Sequence, residues 1–251
     1  MQETLTEELD RLALAHRILE MEGHGDMTQG HLSLRDPQAR GFWLKRHGIG
    51  LGEVLSHADF ILLDFSGKRL AGTGQRHSEW PIHSEILRRR PEIMVVAHTH
   101  PFHAGIFSAT SEELRPLTLD GSRFATRVPH HKDTAELVNS IALGQGLADV
   151  LGEAYAVFMA NHGITFVGQT IEQALLMGVS LERACQAQLA AAASGIPMHW
   201  PDEPAMAARR RSGTGNESHA PQGFYRQTFD YYARKLAWAE RTAPMPGFFR
   251  L

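Results

Sequence analysis

The sequence is almost without cysteine: Cys185 stands alone among 251 residues. One thiol excludes an internal disulfide framework, and its Ala- and Leu-rich surroundings suit a small buried hydrophobe better than a reactive group. Long apolar runs are missing too, and none reaches the roughly 18 residues that a membrane-crossing helix requires. The opening segment MQETLTEELDRL carries acid where a secretory leader carries base, so a cytoplasmic protein is expected. Charge of one sign is also absent, with 25 Lys and Arg set against 28 Asp and Glu for a formal net charge of -3. No global field would hold a polyanion, which removes nucleic acid and anionic membranes as expected partners and leaves a small molecule. Hydrophobic residues at 43% and charged residues at 21% exclude a disordered or fibrous chain. What the sequence does have in quantity is histidine, 15 in all, many placed where apolar segments end.

Thr4 and Glu7 have capping-box spacing, and Leu9, Leu12, Ala13 and Leu19 follow at helical period, which predicts an amphipathic helix that stops near Gly23. Beyond the turn-like GHGDMTQG, the runs HLSLR, GFWLK and FILLDF read as short strands, and DFSGK reads as a hairpin turn into KRLAG. The run PIHSEILRRR is helical, opened by Pro81 and stopped by Pro91, and IMVVAHTH is a buried strand. An apolar strand, a polar NHG turn and a second strand recur in AYAVFMANHGITFVG. Thr170 opens a long helix that Gly195 closes. Residues 196–223, rich in Pro, Gly, Ser and Arg, read as a loop, and residues 224–241 as a last helix appended to one domain spanning 1–251. This order predicts an α/β protein, a three-layer α/β/α sandwich around a mixed, mainly antiparallel sheet.

His98 and His100 are an i, i+2 pair, so an extended strand puts both imidazoles on one face, within reach of one ion. His162, in the NHG turn, is the third candidate ligand. Three imidazoles suit a divalent ion such as zinc, manganese or iron and leave coordination positions open, as a catalytic site requires. Read without that ion, HTHP is only a polar strand end facing water.

The segments GHLSLRDP (30–37), HSEWPIHSEILRRRPEIMVVAHTHP (77–101), DTAELV (133–138) and NHGITFVGQTIEQAL (161–175) resemble the class II aldolase/adducin superfamily, in that family's order. The resemblance implies a metal held by the HxH pair and the NHG histidine, and a catalytic carboxylate that falls on Glu79. Glu85 is the neighbouring alternative, but it lies inside a helical run where a glutamate is commonly solvated or ion-paired. His83 is expected to be packed against that helix's neighbours. The resemblance further implies a homotetramer with sites at subunit boundaries and a tyrosine acid from a C-terminal segment, for which Tyr225, Tyr231 and Tyr232 are candidates and Tyr231 is selected.

The sequence departs from the sugar-phosphate aldolases at their phosphate cradle. His31 stands where they have asparagine, His47 where they have threonine and His77 where they have serine, while Ser33, Gly48 and Ser78 keep the pattern. These six are the candidate substrate-binding residues. With Lys45 and Arg46 beside them, the imidazoles are expected to hold a planar carboxylate, as in the family's decarboxylase branch. The expected function is a divalent-metal-dependent carbon–carbon lyase that decarboxylates a hydroxylated aromatic or heteroaromatic carboxylate through a metal-stabilised enolate. Retro-aldol cleavage of a hydroxy-keto acid or sugar phosphate is the alternative, and a non-catalytic adducin-like interaction module is the alternative of another class.

Overall fold

A computed structural model describes residues 4–124, 128–132, 136–211 and 222–242. Its frame is one eight-stranded sheet, ordered β4-β3-β2-β1-β5-β8-β7-β6. The strands are β1 (His31–Arg35), β2 (Phe42–Lys45), β3 (Phe60–Leu63), β4 (Arg69–Ala71), β5 (Val95–Thr99), β6 (His130–His131), β7 (Ala156–Met159) and β8 (Gly163–Gly168). Every pairing is antiparallel except β6 with β7, so the sheet is mixed and mainly antiparallel, as expected. Helices cover both faces: α1 (Leu5–Leu19), α3 (Phe102–Ser108), α5 (Ile171–Ala193) and α7 (Gln222–Thr242) on one, α2 (Trp80–Arg89) and α4 (Ile141–Leu151) on the other.

Side-chain alternation along the strands feeds two separate cores. Val95 and Ala97 of β5 point into the core under α1 and α5, whereas Val96 points into the one under α2 and α4. By the same alternation His98 and His100 face the α2 side. In β1, Leu32 and Leu34 belong to the first core, which turns His31 and Ser33 to the α2 side as well. Register then brings the two histidine-bearing strands together, with His31 directly opposite His98.

The helix ends follow local chemistry. Thr4 and Glu7 form the reciprocal capping box, with the Thr4 side chain accepting from the Glu7 amide. Thr170 caps α5 by accepting from the Gln173 amide. Asp64 accepts from the amides of Ser66 and Lys68 and closes the β3–β4 hairpin. One expectation changes: part of the 196–223 segment is helical, as α6 (Glu203–Arg211), and α7 starts before residue 224. Leading Glu203 and Pro204 with four alanine or methionine positions behind them outweigh the loop-like average composition of the stretch.

Candidate metal centre

His98 lies near the end of β5 and is fully buried. Its Nδ1–H donates to the Ile164 carbonyl at 3.0 Å, which fixes the ring's tautomer and leaves Nε2 with a free lone pair. His100, just past the strand, donates from Nδ1 to Asp26 Oδ2 at 3.0 Å and likewise keeps its lone pair on Nε2. His162 arrives from the β7–β8 turn. Asn161 supplies the left-handed residue there, with φ 58°, and the His162 amide donates to the Met159 carbonyl at 3.0 Å.

The candidate ligand nitrogens of His98, His100 and His162 all lie within 4.8 Å of one another. The Nε2 atoms of His98 and His100 are 3.0 Å apart. Two lone-pair nitrogens this close, each with its proton drawn to the opposite side of its ring, are what a shared cation stabilises. Burial first, and then the neighbouring imidazoles, hold His98 well below the ordinary histidine value and His162 at about 4, so these rings are neutral donors at physiological pH. The three residues can hold a divalent ion, and the donor set suits one.

Glu79 stands at the N-cap position of α2 but caps nothing. Its Oε1 accepts from the Val138 amide at 3.0 Å, and Oε2 lies 3.6 Å from His98 Nε2 and 3.8 Å from His162 Nε2. Burial raises its pKa, partly offset by the Val138 amide. Glu85 is elsewhere, at the α2–α4 contact, where Ser84 and Gln145 donate to it and Arg88 lies 3.5 Å away.

The NHG glycine is required by a close approach. A Cβ on Gly163 would lie 2.6 Å from both His100 Cδ2 and the Thr99 carbonyl oxygen. The carbonyl belongs to the β5 ladder and cannot yield, so Gly163→Ala should displace His100. We expect destabilisation of about 1–3 kcal/mol, visible as a lowered Tm, together with at least a tenfold weaker divalent-ion affinity by calorimetric titration.

Of the six candidate substrate-binding residues, His31, Ser33 and His77 are buried, while His47, Gly48 and Ser78 are exposed. The His31 and His77 rings are 4.4 Å apart, His47 and His77 5.1 Å, and His31 and His98 5.4 Å, so the imidazoles run continuously into the histidine triad. Lys45 and Arg46 do not serve an anion as expected. Lys45 is fully buried, donates to the carbonyls of Thr28 and Ile49, and is pushed down to about 7, chiefly by burial. Arg46 is paired with Asp59 at 3.3 Å. Their charge is spent on fixing the loops around His31 and His47.

His83 is more than a packed residue. Fully buried on α2, it bonds His31 Nδ1 through Nε2 and Ser33 Oγ through Nδ1, each at 2.7 Å. Tyr231 lies exposed on α7 with its ring 5.2 Å from Tyr232, whereas Tyr225 and Tyr232 are packed into the core. Among the described residues no hydrogen bond links Tyr231 to the histidine cluster. Asp26 was not singled out from the sequence. Its signal was an acid in the turn leading to β1, the strand that pairs with the HxH strand.

Residues 10–189 match the family model of the class II aldolase and adducin N-terminal domain. The chain is 31% identical over 193 residues to decarboxylase NovR of Streptomyces niveus, covering 75% of this chain and 71% of that protein. It is 30% identical over 219 residues to a 3,4-dihydroxyphthalate decarboxylase of Rhodococcus jostii, covering 80% and 90% respectively. An L-fuculose 1-phosphate aldolase from Glaciozyma antarctica is similar in structure, with a TM-score of 0.79 at 26% identity over 96% of this chain and 94% of that one. With its sheet, its histidine triad and more than half its length accounted for in this way, the chain belongs to the class II aldolase and adducin family.

Proposed function

We propose that this protein is a divalent-metal-dependent carbon–carbon lyase that decarboxylates a hydroxylated aromatic or heteroaromatic carboxylate. The observation that carries the reading is the convergence of three imidazoles on one point, with the buried carboxylate of Glu79 3.6 and 3.8 Å from two of them. A zinc, manganese or iron ion held by His98, His100 and His162 would supply a Lewis acid that accepts electron density from the substrate. The substrate's negative charge must be met there, because Lys45 and Arg46 are committed elsewhere.

The chain's own residues divide the remaining work. Loss of carbon dioxide leaves an electron pair on the ring carbon, which then requires a proton. Glu79, buried and with its pKa raised by that burial, can carry a proton at Oε2 while the Val138 amide fixes Oε1. His31, Ser33, His47, Gly48, His77 and Ser78 bind and orient the substrate's ring and its oxygens. The relatives named as decarboxylases, one of them acting on 3,4-dihydroxyphthalate by name, support this choice of reaction.

Retro-aldol cleavage of a hydroxy-keto acid or sugar phosphate is the second reading, favoured by the structural likeness to an L-fuculose 1-phosphate aldolase. In either reaction the enzyme is a cytoplasmic homotetramer, and Tyr231, exposed on α7, is available as an acid to a neighbouring subunit's site. A non-catalytic, adducin-like role would need neither the ion nor Glu79.

The test is carbon dioxide release from hydroxylated aromatic dicarboxylates, with sugar phosphates and hydroxy-keto acids assayed alongside for aldehyde. Protein loaded in turn with zinc, manganese and iron should release carbon dioxide, and chelator-treated protein should not. Aldehyde without carbon dioxide would establish the aldolase reading instead, and no product from metal-replete protein would favour the interaction module.

A further inference from the structure

The hydrogen bonds around the imidazoles decide which of their nitrogens carries a proton. His77 is buried, and one of its ring nitrogens meets the Arg46 carbonyl. The other, Nε2, is buried without a partner. A carbonyl only accepts, so the single proton of the neutral ring stays on Nδ1, and Nε2 is a bare lone pair.

His31 reaches the same state by a longer route. His83 Nδ1 lies 2.7 Å from Ser33 Oγ, which itself donates to the Val96 carbonyl at 3.5 Å. A hydroxyl that gives its one proton to the carbonyl accepts from Nδ1, so Nδ1 is the protonated nitrogen and His83 Nε2 is left as an acceptor. The acceptor lies 2.7 Å from His31 Nδ1, which must therefore be the donor. The proton of His31 is then on Nδ1, and its Nε2 keeps a lone pair. Neither His31 nor His77 has a carboxylate partner among them that would favour a second ring proton.

We infer that His31 and His77, with rings 4.4 Å apart, present two adjacent hydrogen-bond acceptors that recognise hydroxyl groups of the substrate ring, and that His83 is the positioning residue that imposes this polarity on His31. The inference rests on the lyase reading above and deepens it by naming the substrate groups read. A carboxylate brought to two bare nitrogens sets lone pair against lone pair, whereas a phenolic O–H donates to either. The sequence-based expectation that these imidazoles hold the carboxylate is thereby reversed: they hold the hydroxyls, and the ion takes the charge.

Neutron diffraction from crystals of the perdeuterated, zinc-loaded protein reads the protons without any substitution. Deuterium is expected on Nδ1 of His31, His77 and His83 and on none of their Nε2 atoms. Deuterium on Nε2 of His31 or His77 overturns the inference. Calorimetry on the zinc-loaded protein then tests recognition, using 3,4-dihydroxybenzoate, its two monomethyl ethers and benzoate as probes. At least one ether should bind about tenfold more weakly than the dihydroxy compound, the size of one hydrogen bond. In His83→Leu the discrimination against one of the ethers, the one whose parent hydroxyl His31 reads, should fall below twofold. Equal binding of all three oxygenated probes, or a loss in His83→Leu shared equally by benzoate, overturns the assignment. Both measurements are made without turnover, so absence of carbon dioxide release would refute the reaction and leave this inference to its own result.

Discussion

His100→Ala is expected to lose stoichiometric divalent metal and to reduce turnover to the background of the assay. The His100 ring offers Nε2 3.0 Å from His98 Nε2 and is aimed by Asp26, whose Oδ2 accepts from Nδ1 at 3.0 Å. Removing it leaves two imidazoles, fewer than the three protein ligands typical of a catalytic zinc site. Asp26→Ala provides the graded comparison. It keeps all three imidazoles but frees the ring, and loss of such an outer partner typically costs 10–100-fold in affinity or activity. The expected order of metal affinity is therefore intact protein, Asp26→Ala, then His100→Ala, measured by metal analysis after dialysis and by competition with a chelator. Because the His100 side chain is 17% exposed, its loss should leave the far-ultraviolet circular dichroism unchanged. A His100→Ala protein that keeps both metal and turnover would sink the ligand assignment.

The parts of this site that were legible in the sequence are those carried by neighbours in the chain. His98 and His100 announce themselves because a strand's two-residue period puts them on one face, and His162 because a polar turn interrupts two apolar strands. Asp26, and the chain from Ser33 through His83 to His31, were not legible, because they depend on register and on helix-to-sheet docking. Nothing local to His83 shows that α2 will set it over β1. Lys45 illustrates the same limit from the other side. Its charge is plain in the sequence, but the two carbonyls that absorb it belong to loops whose paths only the fold determines.

The fold divides in the same way. Long amphipathic segments such as α1 and α5 carried both periodicity and caps, and the strands ended at Gly, Pro or Asp. The short α3 carried no such signal, and the glycine-bearing α4 carried only its cap, Ser140, which accepts from the Leu143 amide. In α4, Gly144 weakens the local helix preference, yet it is what the packing needs: a Cβ there would lie 2.7 Å from the Pro81 carbonyl of α2. The feature that hides the helix from a local reading is the one that lets α2 and α4 pack closely over the sheet.

Glu79→Gln should separate proton transfer from metal binding. Glutamine keeps the volume and can keep an oxygen acceptor for the Val138 amide, which bonds Oε1 at 3.0 Å. What it loses is the ability to exchange a proton at the atom facing His98 and His162. General acid–base groups typically contribute about 10²–10⁴-fold, so kcat should fall by that factor while metal content stays stoichiometric and KM changes little. Stability supplies an independent check with a definite sign. Burial raises the Glu79 pKa in the folded chain, so the folded state binds this proton more tightly than the unfolded one. Stability from such a group is present at low pH and is lost as pH rises through the folded value. The ion-free wild-type protein at pH 7 therefore bears the cost of a buried carboxylate, which glutamine removes. The Tm of ion-free Glu79→Gln should accordingly be no lower than that of the ion-free wild type at pH 7, and the gap between the two should narrow as pH is lowered. A variant with unchanged kcat would remove Glu79 from proton transfer, and one that lost its metal would make Glu79 a ligand instead.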